Sequence, residues 1–400
     1  MMIVRGQVVT PDTVLTDGVV ALEDGVISWV GAAADARAAG LGEQVGATEP
    51  DPSYVLPGLV DLHNHGGGGQ SFPDSTDLDQ VRAAVSQHRR HGTTGVVASL
   101  VTAAPQTLAD RVSLLADAAE AGEIAGIHLE GPFLSVARCG AQDPELIIAP
   151  DAALTTRLLE LGRGHVVTMT VAPEAPGVLG ADGVVAALVE GGALPSWGHT
   201  DASASVMRHA LEATSSMFDG ARSPRATVTH LCNGMPPMHH RNPGPVPVAL
   251  AAASNGEVVV ELIADGTHLA PELVAEIFAM VGAQNIALVT DAMAAAGMPD
   301  GVYQLGSKQV SVADGIARLT DGGSIAGGTA HLLDVVRGTV AAGVPLHQAV
   351  LSAATVPTQV LGHRELGRPA GAIRAGHRAT LLRVSADLRD VQPIGSASQS

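Results

Sequence analysis

Between residues 57 and 291 the chain repeats one pattern: a short apolar run, a turn, and a stretch of helical periodicity. The runs fall near 57–63, 94–101, 124–130, 165–172, 194–199, 226–230, 257–264 and 285–291, and helical patterns such as 76–91, 105–121, 203–214 and 271–281 lie between them. A helix between two strands returns the chain to the same end of the sheet, so such strands are parallel. Eight of them close into a barrel. Five runs end in a side chain able to hold a metal ion: HNH (63–65), GIHLEGP (126–132), SWGHT (196–200), THLCNG (229–234) and VTDAM (289–293). The C-terminal ends of all strands of a (β/α)8 barrel meet at one mouth, where catalytic groups are drawn from several strands. Five such endings in series are hard to explain by packing alone, and they predict a metal centre.

A barrel takes up ~250 residues, so a chain of 400 has room for a second module. MIVRGQVVTP and DGVVALEDGVISWVG, within residues 1–31, alternate short β-rich stretches with DG pairs that mark hairpin turns. From 371, GAIRAGHRATLLRVSADLRDV returns to short β runs that belong on the same sheet. The expected fold class is therefore α/β: a (β/α)8 TIM barrel over 58–362, with a small β-sandwich domain formed by 1–57 and 363–400. VLPGLVDLHNHG reads as one first buried strand, 300–324 as a hairpin inserted after the eighth strand, and the tail SASQS as a disordered end.

Charge and hydropathy narrow the function. A net charge of −18 opposes general attraction to nucleic acid or anionic membranes, so an anionic substrate needs a local cationic pocket. No run approaches the ~18 apolar residues of a membrane span. The N-terminus MMIVRGQVVTPD turns polar too soon for a signal peptide. With only Cys139 and Cys232 present, the chain has no disulfide framework, which fits a reducing cytoplasm.

His63 and His65 lie two apart on a strand, so both face one way and can grip one ion while Asn64 faces the other. Most H-x-H pairs are loop or surface residues; the GGGG that follows lets a substrate or loop approach the backbone closely. Glu130 ends an apolar strand, and a buried carboxylate calls for a metal or a cationic partner. The single lysine, Lys308, lies in the inserted hairpin and not on a barrel strand, so Glu130 stands where a lysine-derived bridge would otherwise join two metals. Imidazole and carboxylate ligands from His199, His230 and Asp291 suit zinc or iron. Such an ion lowers the pKa of its water toward ~7, and Asp291 can take and return the proton as general base and then acid. Cys232, assigned by strand alternation to the face of His230, is either a further ligand or a small apolar filler, and the frequent burial of free Cys favours the filler. Cys139 follows in the loop after Glu130. His239 and His240 read as loop residues. Arg241 beside them is either a solvated arginine or a two-pronged anchor for carboxylate or phosphate.

DLHNHGGGG, HLEGPFL, SWGHTDA, THLCNGMPP, ADGTHL, TDAM and SIAGGT, in this order, resemble the N-acetylglucosamine-6-phosphate deacetylases of the amidohydrolase superfamily over nearly the whole chain. HLEGP together with THLxNxM carries the family, while H-x-H after the first strand marks the superfamily at large. The resemblance implies that Glu130, His199 and His230 bind the principal divalent ion and that Asp291 is the catalytic acid and base. It implies that Asn233 and Gly234 hold the phosphate or sugar, that His268 contacts the substrate, and that Arg241 binds the phosphate across the interface of a homodimer. Ala141, Ile325, Ala326 and Gly327 fall where members line the sugar pocket. Gln142 stands in that pocket where many members have a histidine. Some members carry Gln-x-Asn in place of HNH and use one metal; this chain keeps both histidines, which allows one or two ions. The expected reaction is hydrolysis of N-acetylglucosamine 6-phosphate to glucosamine 6-phosphate and acetate. Two rivals remain: an amidohydrolase acting on a cyclic amide or aminopurine, and a noncatalytic barrel that binds a sugar phosphate.

Overall fold

The computed structural model describes residues 1–362 and 370–395. Eight parallel strands, Leu59–Asn64, Thr93–Leu100, Gly126–Glu130, Val166–Val171, Leu194–Trp197, Ala226–Val228, Val258–Leu262 and Ile286–Leu288, pair in sequence order. They are buried almost throughout, as expected where helices cover the outside and side chains fill the inside. The covering helices begin where the sequence supplies caps. Asp77, Asp151 and Ser203 accept from the backbone N–H three residues on, and Pro105 and Pro271 open their helices at a position that needs no N–H.

The ring closes differently from its other joints. The eighth and first strands share a single isolated bridge, Asn64 with Ala292, with Asp291 N–H to the His63 carbonyl (2.9 Å) and His65 N–H to the Ala292 carbonyl (2.6 Å). The buried Asp61 carboxylate completes the seam, accepting from the Thr290 N–H (3.2 Å) and hydroxyl (2.6 Å) and from Asn64 Nδ2 (3.0 Å).

VLPGLVDLHNHG is two strands rather than one. Tyr54–Pro57 belongs to the small sheet and Leu59–Asn64 to the barrel, with Gly58 between them. A Cβ at Gly58 would come within 2.2 Å of the Thr94 hydroxyl, so only glycine lets the chain pass. The small sheet has six strands, including Met2–Val9, Val14–Glu23, Val26–Ala32, Leu381–Val384 and Val391–Ile394. It rolls over until its outer strand meets residues 376–379, through Ile27 N–H to the His377 carbonyl and Gly376 N–H to the Ile27 carbonyl. Val8, Val20, Ile27, Val55 and Leu381 pack inside the roll.

Two local expectations change. Asp17–Gly18 is not a turn but lies within Val14–Glu23; the chain reverses at Thr10–Thr13 instead. Gly18 serves close approach, since a Cβ there would stand 2.7 Å from the Val8 side chain. The insertion after the eighth strand is a three-stranded meander, Gly301–Leu305, Lys308–Ala313 and Ile316–Leu319, rather than a hairpin. The expected boundary at 363 and the tail 396–400 lie outside the described residues.

Candidate metal centre and active site

The strand ends deliver the six candidate ligands to one mouth. His63 lies in the first strand with His65 just beyond it, and Glu130 ends the third. His199 and His230 come two residues after the fifth and sixth strands, and Asp291 three after the eighth. All six are buried. His199 (φ 45°), His230 (φ 26°) and Asp291 (φ 48°) sit in the left-handed region. Each such placement costs a non-glycine residue of order 1–3 kcal/mol and persists only where the surroundings hold it, as at functional sites.

The ligand atoms fall into two triads. In the first, Glu130 Oε1 is 2.9 Å from both His199 Nε2 and His230 Nε2, which are 3.2 Å apart. In the second, His63 Nε2 and His65 Nε2 are 3.1 Å apart, and Asp291 Oδ1 is 3.5 and 3.2 Å from them. Glu130 lies between the triads, with Oε2 3.2 Å from His65 Nε2. Three histidines have Nδ1 against an atom that only accepts: His63 against Glu261 Oε2 (3.2 Å), His65 against the Ser99 carbonyl (3.1 Å), His199 against the Arg138 carbonyl (2.7 Å). A proton held on Nδ1 leaves the Nε2 lone pair pointing inward, which is how metal-binding histidines are oriented. Nitrogen and carboxylate donors converging at these spacings fit a divalent cation at each triad.

The electrostatics agree. Burial would raise the Glu130 carboxyl, but the charge of His63 and hydrogen bonds from His199 and His230 hold it well below the usual range. Burial likewise opposes ionisation of Asp291, and His63 with His65 still bring it down to about 2. Against the same burial, Asp291 and Glu130 lift His65 to about 9. Both carboxylates thus stay ionised among the imidazoles. His128, deeper in the barrel between Thr168 and Thr170, is pushed well below its ordinary value by burial and by His63, and stays a neutral packing group.

A cleft of about 270 Å³ opens over the centre. Ala141, Gln142, Asn233, Gly234, His268, Ile325 and Gly327 line it together with His65, Glu130, His199, His230 and Asp291. Ala326 does not: it is fully buried behind the wall, packed with the meander. His268 Nδ1 is held by Asp265 Oδ2 at 2.8 Å. Gln142 donates from Nε2 to Glu130 Oε2 (2.5 Å) and accepts from the Thr102 N–H (2.8 Å), so its amide steadies the carboxylate. Cys232 stands in a turn beyond the end of its strand at Val228, so strand alternation does not govern it; it packs on the core, with burial raising its thiol to about 11. That is the filler. Arg241 is exposed and outside the cleft of its own chain, and among the described residues no lysine or arginine lines that cleft. A larger cavity of about 710 Å³ lies against the N-terminal ends of the strands, lined by Gly58, Thr94, His165 and Thr380, far from the converging ligands.

Sequence reasoning missed Glu261, which accepts from both His63 Nδ1 and the His230 N–H. The signal was present: a lone carboxylate inside the apolar run VVVEL.

The amidohydrolase family model matches residues 54–396. The chain belongs to the amidohydrolase family. Within this family it resembles the N-acetylglucosamine-6-phosphate deacetylase of Bacillus subtilis, 33% identical over 79% of this chain and 76% of the relative. It is also similar to the N-acetylgalactosamine-6-phosphate deacetylase of Escherichia coli O157:H7, 31% identical over 86% and 87%. A solved structure of a mutant N-acetyl-D-glucosamine-6-phosphate deacetylase from Mycobacterium smegmatis, in complex with N-acetyl-D-glucosamine-6-phosphate, superimposes with a TM-score of 0.85 at 40% identity, covering 98% of this chain and 96% of that one. No helix among the described residues is long and apolar enough to cross a membrane.

Proposed function

We infer that this amidohydrolase removes the acetyl group of N-acetylglucosamine 6-phosphate, releasing glucosamine 6-phosphate and acetate. One observation carries the reading: a buried Asp291 completes one of two ligand triads at the floor of a small cleft, in a chain 33–40% identical to deacetylases of this substrate. Glu130, His199 and His230 would hold the principal ion, and His63, His65 and Asp291 a second; zinc and iron suit these donors. A divalent cation supplies polarisation of the amide carbonyl and a more acidic water. Asp291 takes the proton from the attacking water and passes it to the departing amine nitrogen. His268, fixed by Asp265, faces the carbonyl oxygen. Asn233 and Gly234 hold the sugar phosphate, and Ala141, Ile325 and Gly327 shape the sugar pocket. Arg241 reaches the phosphate from the second chain of a homodimer, which supplies the cation that the cleft lacks from its own chain. Two free cysteines fit a cytoplasmic enzyme.

Acetate release tests this directly. Purified protein should deacetylate N-acetylglucosamine 6-phosphate well above the unphosphorylated sugar, stop after exhaustive chelation, and recover on adding metal. The galacto epimer belongs in the same assay, given the relatives that act on it. Binding of the sugar phosphate without acetate release would make the protein a noncatalytic receptor instead. On metal count, His63→Ala and His65→Ala should each remove about one ion at saturating metal and leave the Glu130/His199/His230 ion in place. One ion per chain in wild type, unchanged in both variants, would end the two-metal reading.

A further inference from the structure

Glu261 sits on the inward face of the seventh strand, buried and outside both triads. Its Oε2 accepts from His63 Nδ1 at 3.2 Å and from the His230 backbone N–H at 3.2 Å, while its own carbonyl accepts from the Leu231 N–H at 2.9 Å. One oxygen therefore touches a residue of each triad. His63 and His230 stack with ring centroids 5.4 Å apart and an interplanar angle of 24°, so the shared oxygen holds one ring of the stack directly and the other through its backbone. His230 needs the brace more than its neighbours do. Its Nδ1 is buried without a partner among the described residues, and its φ of 26° is one that only outside contacts sustain. Glu130 spans the triads on the side facing the ligand atoms, and Glu261 spans them from behind.

We propose that Glu261 is a positioning residue that couples the two metal positions, fixing the tautomer of His63 in one and the backbone of His230 in the other. The inference rests on the metal-centre reading above and extends it. Removing such an outer partner costs metal affinity by roughly 10- to 100-fold. Because the oxygen is shared, the loss reaches both ions, which a partner of His63 alone would not produce.

The test is a zinc titration of chelator-stripped protein against a chromophoric competitor, with no substrate present. Glu261→Gln keeps the shape and weakens the acceptor; Glu261→Asp keeps the charge and draws it back by one methylene. In wild type, two ions should bind; in either variant, both should bind about tenfold or more weakly. The decisive arm uses His63→Ala, which retains the Glu130/His199/His230 ion: adding Glu261→Gln should still weaken that ion. If that affinity is unchanged, Glu261 serves His63 only and the coupling is wrong. If wild type itself binds no zinc at either triad, the metal-centre reading falls first; if zinc binds as expected but no acetate is ever released, the coupling stands and the substrate assignment falls.

Discussion

Asp291→Asn will give a folded protein that keeps the Glu130/His199/His230 ion and loses 10²- to 10⁴-fold in kcat, about 3–5 kcal/mol of barrier. Asn fills the same volume and can still accept from His65, so the seam and the first triad should survive. What it cannot do is accept a proton from water and hand it on. The carboxyl suits that task by its place: it is buried at the mouth of the barrel, 3.2 Å from His65 Nε2, and lines the cleft. Steady-state kinetics beside metal analysis decide the matter: a variant with full metal and a large share of wild-type kcat would show that another group carries the proton.

Arg241→Ala should cut kcat/KM for the 6-phosphate by roughly ten- to a hundredfold while barely changing activity on unphosphorylated N-acetylglucosamine. An acidic chain repels an anionic substrate at long range, so preference for the phosphate must come from a short, desolvated contact. Charge-assisted hydrogen bonds of that kind contribute about 1.5–3 kcal/mol. Arg241 is exposed and absent from its own cleft, which fits the proposal that it acts from a partner chain. Mixing Arg241→Ala chains with Asp291→Asn chains should then restore activity, because one site of each mixed dimer has both groups. An equal fall on both substrates, with no rescue on mixing, would make Arg241 a surface residue.

The barrel was legible because its strands, covered on both faces, read as continuous apolar runs. The candidate ligands were legible because polar side chains broke those runs at their ends, as at Glu130 and His199. Errors arose where one local signal serves two physical purposes. Asp17–Gly18 has the composition of a turn, yet Gly18 is there so that its strand can pass the Val8 side chain of the neighbouring one. Cys232 was assigned by alternation to a strand that stops at Val228. Ala326 lies in a motif whose neighbours line the cleft, but its own methyl points into packing. Glu261 passed unnoticed in the apolar run VVVEL, since the imidazole that explains it is 198 positions away.

The seam between the eighth and first strands bears on how the chain is completed in time. Asp61 and Thr290, which stitch it, are 229 positions apart, and contacts so distant in sequence are formed late because the intervening chain must already be ordered. His63 and His65 stand on one lip of that seam and Asp291 on the other. The second ligand triad is therefore not assembled while that seam is open, and a cation bound there would act as a clasp on a finished ring. At a free metal concentration of 100 times Kd, such a clasp favours the closed form by ~2.7 kcal/mol. Metal supply would then set the lifetime of the folded protein as well as its rate of turnover, and chains starved of metal would be the first to reopen along this line.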